Sequence, residues 1–319
     1  MNPLRPAILA AAGSARVEHL LTTAPLSAAL VRRFVAGQTR TQLLVAVRDL
    51  LHSGRAVSVD FLGEHTTDRA QADAAVAEYL ALINDLAGLD TSAVPDGAAP
   101  LEVSVKLSAL GQALDPDGPR IAAENLRVLC TKAAEVGVWV TVDAEDHTST
   151  ATTLAQTRRA RTEFGWLGTV VQAYLYRSAD DCRDLADAGA RVRLCKGAYQ
   201  EPDTVAYQRR REVDRAYLRC LRTLLLGSAV PLVASHDPVM ITAATDLAAQ
   251  TGRRPGEIEY QMLYGVRTDE QLRLARRGDF VRVYLPYGSQ WYGYLLRRLA
   301  ERPANLAFFL RAVVSGGSR

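Results

Sequence analysis

Eight strand-like segments alternate with helix-like segments between residues 56 and 300, and this order constrains the fold more than any other feature of the sequence. Eight such units over about 250 residues match a (β/α)8, TIM-like barrel of the α/β class. A doubly wound sheet is the alternative, but its nucleotide-binding form normally has Gly-x-Gly-x-x-Gly after the first strand. Here Gly63-Glu-His-Thr-Thr67 follows that strand, so the barrel is favoured.

The boundaries of the segments follow from the spacing of apolar residues and from the Gly and Pro residues between the runs. Helical periodicity in Ala24–Val35 and Thr39–His52 predicts an N-terminal helical arm over residues 1–54, followed by the barrel over residues 55–319. The predicted strands are Ala56–Leu62, Leu101–Leu107, Val138–Ala144, Thr169–Leu175, Arg191–Cys195, Val230–Ser235, Ile258–Leu263 and Phe280–Leu285. The predicted helices are Asp68–Ala87, Pro119–Val136, Ser149–Phe164, Ser178–Ala188, Thr204–Leu226, Val239–Gln250, Thr268–Arg277 and Trp291–Ala300.

The charge balance and the cysteines exclude several classes of protein. Lys and Arg total 38 against 35 Asp and Glu, which gives no support for a nucleic-acid partner. The four cysteines and five histidines have no zinc-site spacing, so we expect no metal and a reducing compartment. No apolar run has the length of a signal peptide or a membrane span, which predicts a cytoplasmic protein. The arginines of 158–161 and 209–211 are interpreted as solvated helix faces.

Polar side chains follow the carboxyl ends of the predicted strands, where the active site of a (β/α)8 barrel lies. Alternation indicates which of them point inward. Because the helix-covered face of a strand must be apolar, Ser104 and Lys106 point into the barrel while Val103 and Val105 face the helices. The same argument gives an upper interior layer of Lys106, Asp143, Gln172 and Arg193.

Spacing alone leaves two interpretations of this polar set open. The charges either fill the barrel as an internal salt-bridge network or line a site for a small carboxylate, a phosphate group or both. Lys196 suits a Schiff base as well as a cation beside a phosphate or a flavin ring. Core packing is the alternative for His236 and Tyr284, and a solvated helix face is the alternative for Arg297-Arg298. Arg191, at the start of its strand, is interpreted as a solvated or paired charge.

Seven short motifs, in order along the chain, resemble the proline dehydrogenase family. They are Ser104-Val-Lys-Leu-Ser108, Val142-Asp-Ala-Glu145, Gln172-Ala-Tyr174, Arg193-Leu-Cys-Lys-Gly-Ala-Tyr199, Ser235-His-Asp237, Tyr260-Gln-Met-Leu-Tyr-Gly265, and Arg282-Val-Tyr-Leu-Pro-Tyr-Gly288 with its continuation to Asn305. The match covers about Val57 to Phe308. The resemblance implies a flavoenzyme on a distorted (β/α)8 barrel that oxidises L-proline to 1-pyrroline-5-carboxylate and passes electrons from FAD to a membrane quinone.

The resemblance also implies a role for individual residues, position by position. Catalytic roles fall to Lys106, Asp143, Arg193 and Tyr284, with Arg193 beside the flavin N5 and Asp143 in contact with Lys106. The substrate-binding residues are Lys106, Tyr199, Leu263, Tyr284, Tyr294, Arg297, Arg298 and Glu64, the last as a lid contact to Arg297. The cofactor-binding residues are Asp143, Ala144, Gln172, Arg193, Lys196, Gly197, Ala198, Tyr199, Ser235, His236, Gln261, Glu301, Asn305 and Phe308.

Hydride transfer from proline requires a clamped carboxylate, which arginine's planar fork provides. One departure from the family is Gln200, where many relatives have Trp after Gly-Ala-Tyr. The chain has no appended aldehyde-dehydrogenase segment, which implies a monofunctional bacterial type with a separate pyrroline-5-carboxylate dehydrogenase as partner. Association with the inner face of the membrane follows from the quinone. The rival hypotheses are a Schiff-base lyase using Lys106 or Lys196 and a barrel that binds a carboxylate without turnover.

Overall fold

The computed structural model describes residues 31, 33–63, 66–254 and 256–294, and its strands and helices alternate along that length. The strands are β1 (Ala56–Phe61), β2 (Leu101–Val105), β3 (Trp139–Val142), β4 (Gly168–Gln172), β5 (Arg191–Cys195), β6 (Val230–Ala234), β7 (Glu259–Leu263) and β8 (Val281–Tyr287). The helices are α1 (Arg40–His52), α2 (Arg69–Ala87), α3 (Gly118–Val136), α4 (His147–Arg161), α5 (Ser178–Asp187), α6 (Arg210–Leu226), α7 (Pro238–Gln250) and α8 (Thr268–Arg276).

The eight strands are parallel and form one closed barrel. Each strand pairs with the next along the chain, and β8 pairs with β1 over the register Ala56 to Arg282 through Phe61 to Tyr287. A closed parallel sheet brings the carboxyl ends of all strands to one rim. The predicted (β/α)8 architecture is therefore confirmed.

The predicted boundaries are close to those observed, with one large difference. β5 has the predicted limits, but the helix predicted from Thr204 begins only at Arg210. The segment 196–209 is instead a loop, because its backbone bonds to the chain after β4: Tyr176 N–H donates to Val205 O at 3.0 Å and Tyr207 N–H to Tyr174 O at 2.8 Å. Tertiary contacts here override helical periodicity.

The outward-facing strand residues are aliphatic and pack under the helices. Val57, Val59, Val103 and Val105 of β1 and β2 are fully buried in a cluster with residues of α1, α2 and α3. A second cluster joins β4 to β8 with α5, α6 and α7. A fully buried aliphatic side chain contributes about 1.5–3 kcal/mol. This burial fixes the register of each strand, since a shift of one residue would turn the aliphatic set inward.

Helix α1 lies against β1 and β8 and covers the barrel between them. Its residues Leu43 and Val47 are fully buried. The chain before it also bonds to the end of β8: Ala36 N–H donates to Pro286 O at 2.9 Å, and Gly288 N–H to Gly37 O at 3.0 Å. The division into an arm over 1–54 and a barrel over 55–319 stays a prediction, and most of the helix predicted over Ala24–Val35 lies outside the described residues.

Two further observations bear on function. Among the helices of the described ranges, none is both long and apolar enough to cross a membrane. Within the same ranges, no group of three His, Cys, Asp or Glu residues has the geometry to hold a metal ion.

Candidate active site

Arg193 of β5 lies at the centre of the barrel interior and is 5% exposed. Its guanidinium has five N–H groups, and the structure gives five bonds to them. The acceptors are Gln261 Oε1 (2.5 Å from Nε), Ser104 Oγ and Asp143 Oδ1 (2.7 and 2.5 Å from Nη1), and Ser58 Oγ and Glu102 Oε1 (3.0 and 2.8 Å from Nη2). All five N–H groups of Arg193 thus have an acceptor within the barrel, and its predicted contact with a flavin N5 stays a prediction.

Below Arg193, toward the amino ends of the strands, the interior is filled by an ionic layer. Arg282 bonds Glu259 at 2.6 and 3.1 Å, and Arg191 bonds Glu102 at 3.1 Å from both Nη atoms. All four side chains are at most 6% exposed. These four residues form an internal salt-bridge network, and Arg191, interpreted as a solvated or paired charge, is paired.

Glu102 shows how this layer is stabilised. Burial raises the pKa of the Glu102 carboxyl, but the guanidiniums of Arg282, Arg191 and Arg193 lower it, and the outcome is a pKa of about 2. The carboxylate also accepts a hydrogen bond from Ser58 Oγ at 2.7 Å. Glu102 is therefore ionised over the whole neutral range, and the layer carries compensated charges.

The upper layer contains the polar residues that alternation predicts. Lys106 Nζ lies 2.9 and 2.8 Å from the two oxygens of Asp60, and both side chains are nearly inaccessible to solvent. Tyr284 donates to Asp143 Oδ2 at 2.8 Å, and Arg193 lies over the Tyr284 ring at 5.3 Å. The structure thus brings Asp143, Arg193 and Tyr284 into direct contact. It gives Lys106 a carboxylate partner, Asp60, at the carboxyl end of β1.

Tyr284 is a neutral hydrogen-bond donor in this layer. Burial raises the pKa of Tyr284 well above its ordinary value, and the negative charges of Asp143 and Asp60 raise it further. The charge of Arg193 acts in the opposite direction and is outweighed. The phenol therefore stays protonated at physiological pH and holds Asp143 in one orientation.

Gln172 and Gln261, both predicted to bind the cofactor, differ in whether a side-chain atom is left to bond a ligand. Both ends of the Gln261 amide are used inside the barrel, by Arg193 and by Glu259 Oε1 at 2.6 Å. Gln172 donates its amide to Glu145 O at 2.7 Å, and its side-chain oxygen has no hydrogen-bond partner within the described part of the chain. Gln172 therefore presents an acceptor at the rim.

At the rim, which the carboxyl ends of the strands form, several residues are half-buried, whereas the strand residues below them are buried. Cys195 at the end of β5 and residues 196–199 after it have intermediate exposure, as do Ala144, His236, Leu263 and Tyr284. The carboxyl ends of the strands are thus more accessible than the layers below them. Lys196 Nζ pairs there with Asp214 and Asp237 at 2.5 and 2.8 Å. Burial raises and the bond from Lys196 lowers the pKa of Asp237, which ends below its ordinary value.

The β6 end is fixed to its neighbours. His236 Nε2 accepts the backbone N–H of Leu263 at 2.9 Å, while the His236 carbonyl accepts from Arg267 at 2.7 Å. Ser235 is buried beside it. The core-histidine alternative for His236 is therefore consistent with the structure, and its predicted cofactor contact stays a prediction.

Part of the expected site lies beyond what the structure describes. Tyr294 is buried in a helical turn over 291–294 at the end of the described chain. The predicted residues outside the described ranges are Glu64, Arg297, Arg298, Glu301, Asn305 and Phe308.

Comparisons with known proteins bear on this arrangement of buried charges under a polar rim. The profile of the family described as Proline dehydrogenase matches residues 43–311. The chain belongs to the proline dehydrogenase family. A relative named "Proline dehydrogenase" from Deinococcus radiodurans is 38% identical over 314 residues, which are 98% of each protein. "Proline dehydrogenase 1" of Bacillus subtilis (strain 168) is 37% identical over 283 residues, 89% of this chain and 90% of that protein.

Solved structures extend the comparison to the fold. Proline utilization A (PutA) from Bdellovibrio bacteriovorus, inactivated by N-propargylglycine, matches with a TM-score of 0.80 at 23% identity. That match covers 92% of this chain and 38% of that one. A structure of PutA with proline bound in remote sites matches with a TM-score of 0.69 at 26% identity, over 88% of this chain and 31% of that one. The chain thus spans less than half the length of these PutA proteins.

Several residues of this proline dehydrogenase family barrel were not predicted from the sequence as part of the site. Glu102, Glu259 and Arg282 alternate with apolar residues on β2, β7 and β8, so the alternation used for Lys106 also points to them. Asp60 is a different case, because its place at the carboxyl end of β1 follows from the sequence and only its role as the partner of Lys106 was not predicted. The pairing of these charges across the barrel has no local signal, because it depends on strand closure.

Proposed function

We propose that this chain is an FAD-dependent enzyme that oxidises L-proline to 1-pyrroline-5-carboxylate and passes the electrons to a membrane quinone. Membership of the proline dehydrogenase family supports this proposal. The observation that carries it is the contact set of the upper layer: Tyr284 to Asp143, Asp143 to Arg193, and Lys106 to Asp60, directly below the half-buried rim. Such an arrangement orients charged groups toward a ligand that enters from the rim.

The residues at the rim fit a flavin. The free side-chain oxygen of Gln172 suits a ring N–H, and in the proposal the backbone of Gly197 and Ala198 lines the cofactor. Gly197 has φ of +112°, a conformation that glycine adopts without strain. FAD supplies the hydride acceptor, which none of the protein's side chains can provide. The cofactor roles of Lys196, Ser235, His236 and Gln261 are part of the proposal.

The protein's own residues would bind and orient the substrate. In the proposal, Lys106 receives the proline carboxylate, and Asp60 fixes the ammonium of Lys106 in place. Tyr284 lies beside the proline ring, held by its bond to Asp143. The arginine clamp of Arg297 and Arg298, with Glu64 as its lid, belongs to the proposal through the family resemblance alone. No residue is assigned as the base that removes the amine proton.

The partners and location are also proposals. A separate pyrroline-5-carboxylate dehydrogenase would consume the product. A cytoplasmic protein that associates with the inner face of the membrane would reach the quinone.

The absorbance spectrum of the purified protein tests the proposal first, followed by proline-dependent reduction of a dye. We expect bound FAD and dye reduction with L-proline. A protein that takes up no FAD would contradict the proposal. Reductive trapping of substrate on Lys106 or Lys196 by borohydride would instead support the lyase, and binding of proline without reduction would support a non-catalytic barrel.

A further inference from the structure

A buried carboxylate at the rim has no part in the proposed chemistry. Glu201 lies in the 196–209 loop between β5 and α6, where its neighbours Gln200 and Pro202 are exposed. Its own side chain is only 3% exposed. Burying a carboxylate costs several kcal/mol unless it is paired and hydrogen-bonded. Its partners should therefore explain why a surface loop contains it.

Both oxygens of Glu201 contact residues outside its own loop. Oε1 accepts the backbone N–H of His147, the first residue of α4, at 2.9 Å, and the hydroxyl of Tyr174 at 3.4 Å. Oε2 lies against His147 Nδ1. A carboxylate at the amino end of a helix is further stabilised by the helix dipole. Glu201 thus joins the β5–α6 loop to the start of α4.

Tyr174 holds the same loop at its other end. Its backbone N–H donates to Lys196 O at 2.9 Å. Gly197 approaches the Tyr174 ring so closely that a Cβ atom on Gly197 would lie 2.3 Å from ring carbons. Residues 197–200 therefore lie between two anchoring contacts, that of Gly197 with the Tyr174 ring and that of the Glu201 carboxylate with His147.

We propose that Glu201 is a positioning residue whose carboxylate fixes the β5–α6 loop and so holds Lys196, Gly197 and Ala198 where they contact the cofactor. The inference rests on the proposed function, because FAD is the ligand that these residues would meet. The Glu201–His147 contact also couples this loop to the one before α4, which carries Asp143 and Ala144. The two loops with expected cofactor contacts are held as one unit.

The test compares variants in two measurements. Hydrogen exchange of residues 196–209 in cofactor-free protein reports the order of the loop, and titration of the same protein with FAD gives the dissociation constant. Glu201→Ala removes every contact of the carboxylate. Glu201→Gln keeps an acceptor oxygen for the His147 N–H and guards against a Glu201→Ala protein that does not fold.

Arg161→Ala is the matched control, because Arg161 ties the other end of α4. Its guanidinium donates to the carbonyls of Gly165, Leu167, Ala188 and Gly189, at 2.8 to 3.4 Å. This variant should lower the stability of the protein while exchange of the 196–209 loop and the FAD dissociation constant stay at the parent's values.

We expect Glu201→Ala to accelerate exchange across the loop and to weaken FAD binding about tenfold or more, as the loss of hydrogen bonds to a charged group implies. Glu201→Gln should show the same changes to a smaller degree. Parental loop exchange or parental FAD affinity in both variants would overturn the proposal, and so would an equal loss of FAD affinity in Arg161→Ala. If the parent protein itself binds no FAD, the proposed function is wrong, and loop exchange alone then decides whether Glu201 is the tether.

Discussion

At the scale of single residues, the upper layer of the barrel depends on donors that hold each carboxylate in one place. Asp143 accepts from Arg193 at one oxygen and from Tyr284 at the other. Removing one donor leaves a buried oxygen unsatisfied, which costs more than the bond itself contributes. The orientation of Asp143 should therefore be sensitive to a single hydroxyl.

Tyr284→Phe tests this sensitivity. Loss of the hydroxyl frees Asp143 Oδ2, and we expect kcat/KM for proline to fall by about tenfold to a hundredfold, as the loss of a hydrogen bond to a charged group implies. FAD content should stay near that of the parent. The measurement is steady-state dye reduction with flavin quantified in the same sample.

Tyr287→Phe is the control, since Tyr287 lies on the same strand and donates to Glu78 at 2.9 Å on the helix-covered side. It should leave kcat/KM near the parent value. Equal losses in the two variants would show that Tyr284 acts only through the stability of β8.

The sequence predicts individual residues of the site better than their partners. Alternation predicts Lys106, Asp143, Gln172 and Arg193 because each opposes aliphatic neighbours on its own strand. The partner of Lys106 is Asp60, which lies 46 residues away, and the partner of Glu201 is His147, 54 residues away. Such pairs form only when the barrel closes, so a local pattern cannot specify them.

At the scale of elements, α1 is part of the barrel core. Leu43 has no exposed surface, and α1 packs on β1 and β8 as the later helices pack on their strands. Helical periodicity predicts α1, but it does not indicate which strands the helix covers. One of them, β8, begins only at Val281, far along the chain.

Leu43→Ala tests the place of α1 in the core. The cavity left in a fully buried site should lower the free energy of unfolding by about 2–5 kcal/mol. Val45→Ala on the same helix is the control, because Val45 is 58% exposed and its truncation should change stability by less than about 0.5 kcal/mol. Urea unfolding followed by circular dichroism measures both. If Leu43→Ala lowers the urea midpoint only of a small transition that precedes the main unfolding, α1 is a separable arm.

At the scale of the whole molecule, the barrel interior is neutral. Among the residues that the structure describes, Lys106, Arg191, Arg193 and Arg282 are matched inside the barrel by Asp60, Glu102, Asp143 and Glu259. Paired charges escape much of the cost of burial, but removal of one partner typically costs about 3–5 kcal/mol. The stability of the barrel is thereby linked to pH through Glu102, whose pKa is lowered by the surrounding guanidiniums.

The pH dependence has a defined sign for Glu102. Its pKa in the folded barrel is about 2, below the value of 4.5 expected without the fold, so ionised Glu102 stabilises the folded state. That stabilisation is fully present above about pH 5 and is lost as the pH falls toward 2. We expect the stability difference between the parent and Glu102→Gln to be constant from pH 5 to 8 and to shrink below pH 4.5.

Urea unfolding midpoints at a series of pH values measure this difference. Glu163→Gln is the control, since Glu163 pairs with Arg127 on the exposed surface and its loss should have little effect at any pH. A stability difference for Glu102→Gln that grows in acid would contradict the assigned direction of the pKa shift.

The ionic layer below Arg193 also restricts which substitutions can accumulate as the family evolves. Any one substitution that removes a charge from Arg282, Glu259, Arg191 or Glu102 leaves its partner buried and uncompensated, so a lineage that makes such a change passes through a poorly stable ancestor. Replacement in pairs avoids that ancestor. Relatives that keep the barrel should therefore inherit these four residues together or exchange them together, and an alignment of the family should show the four positions covarying as a group.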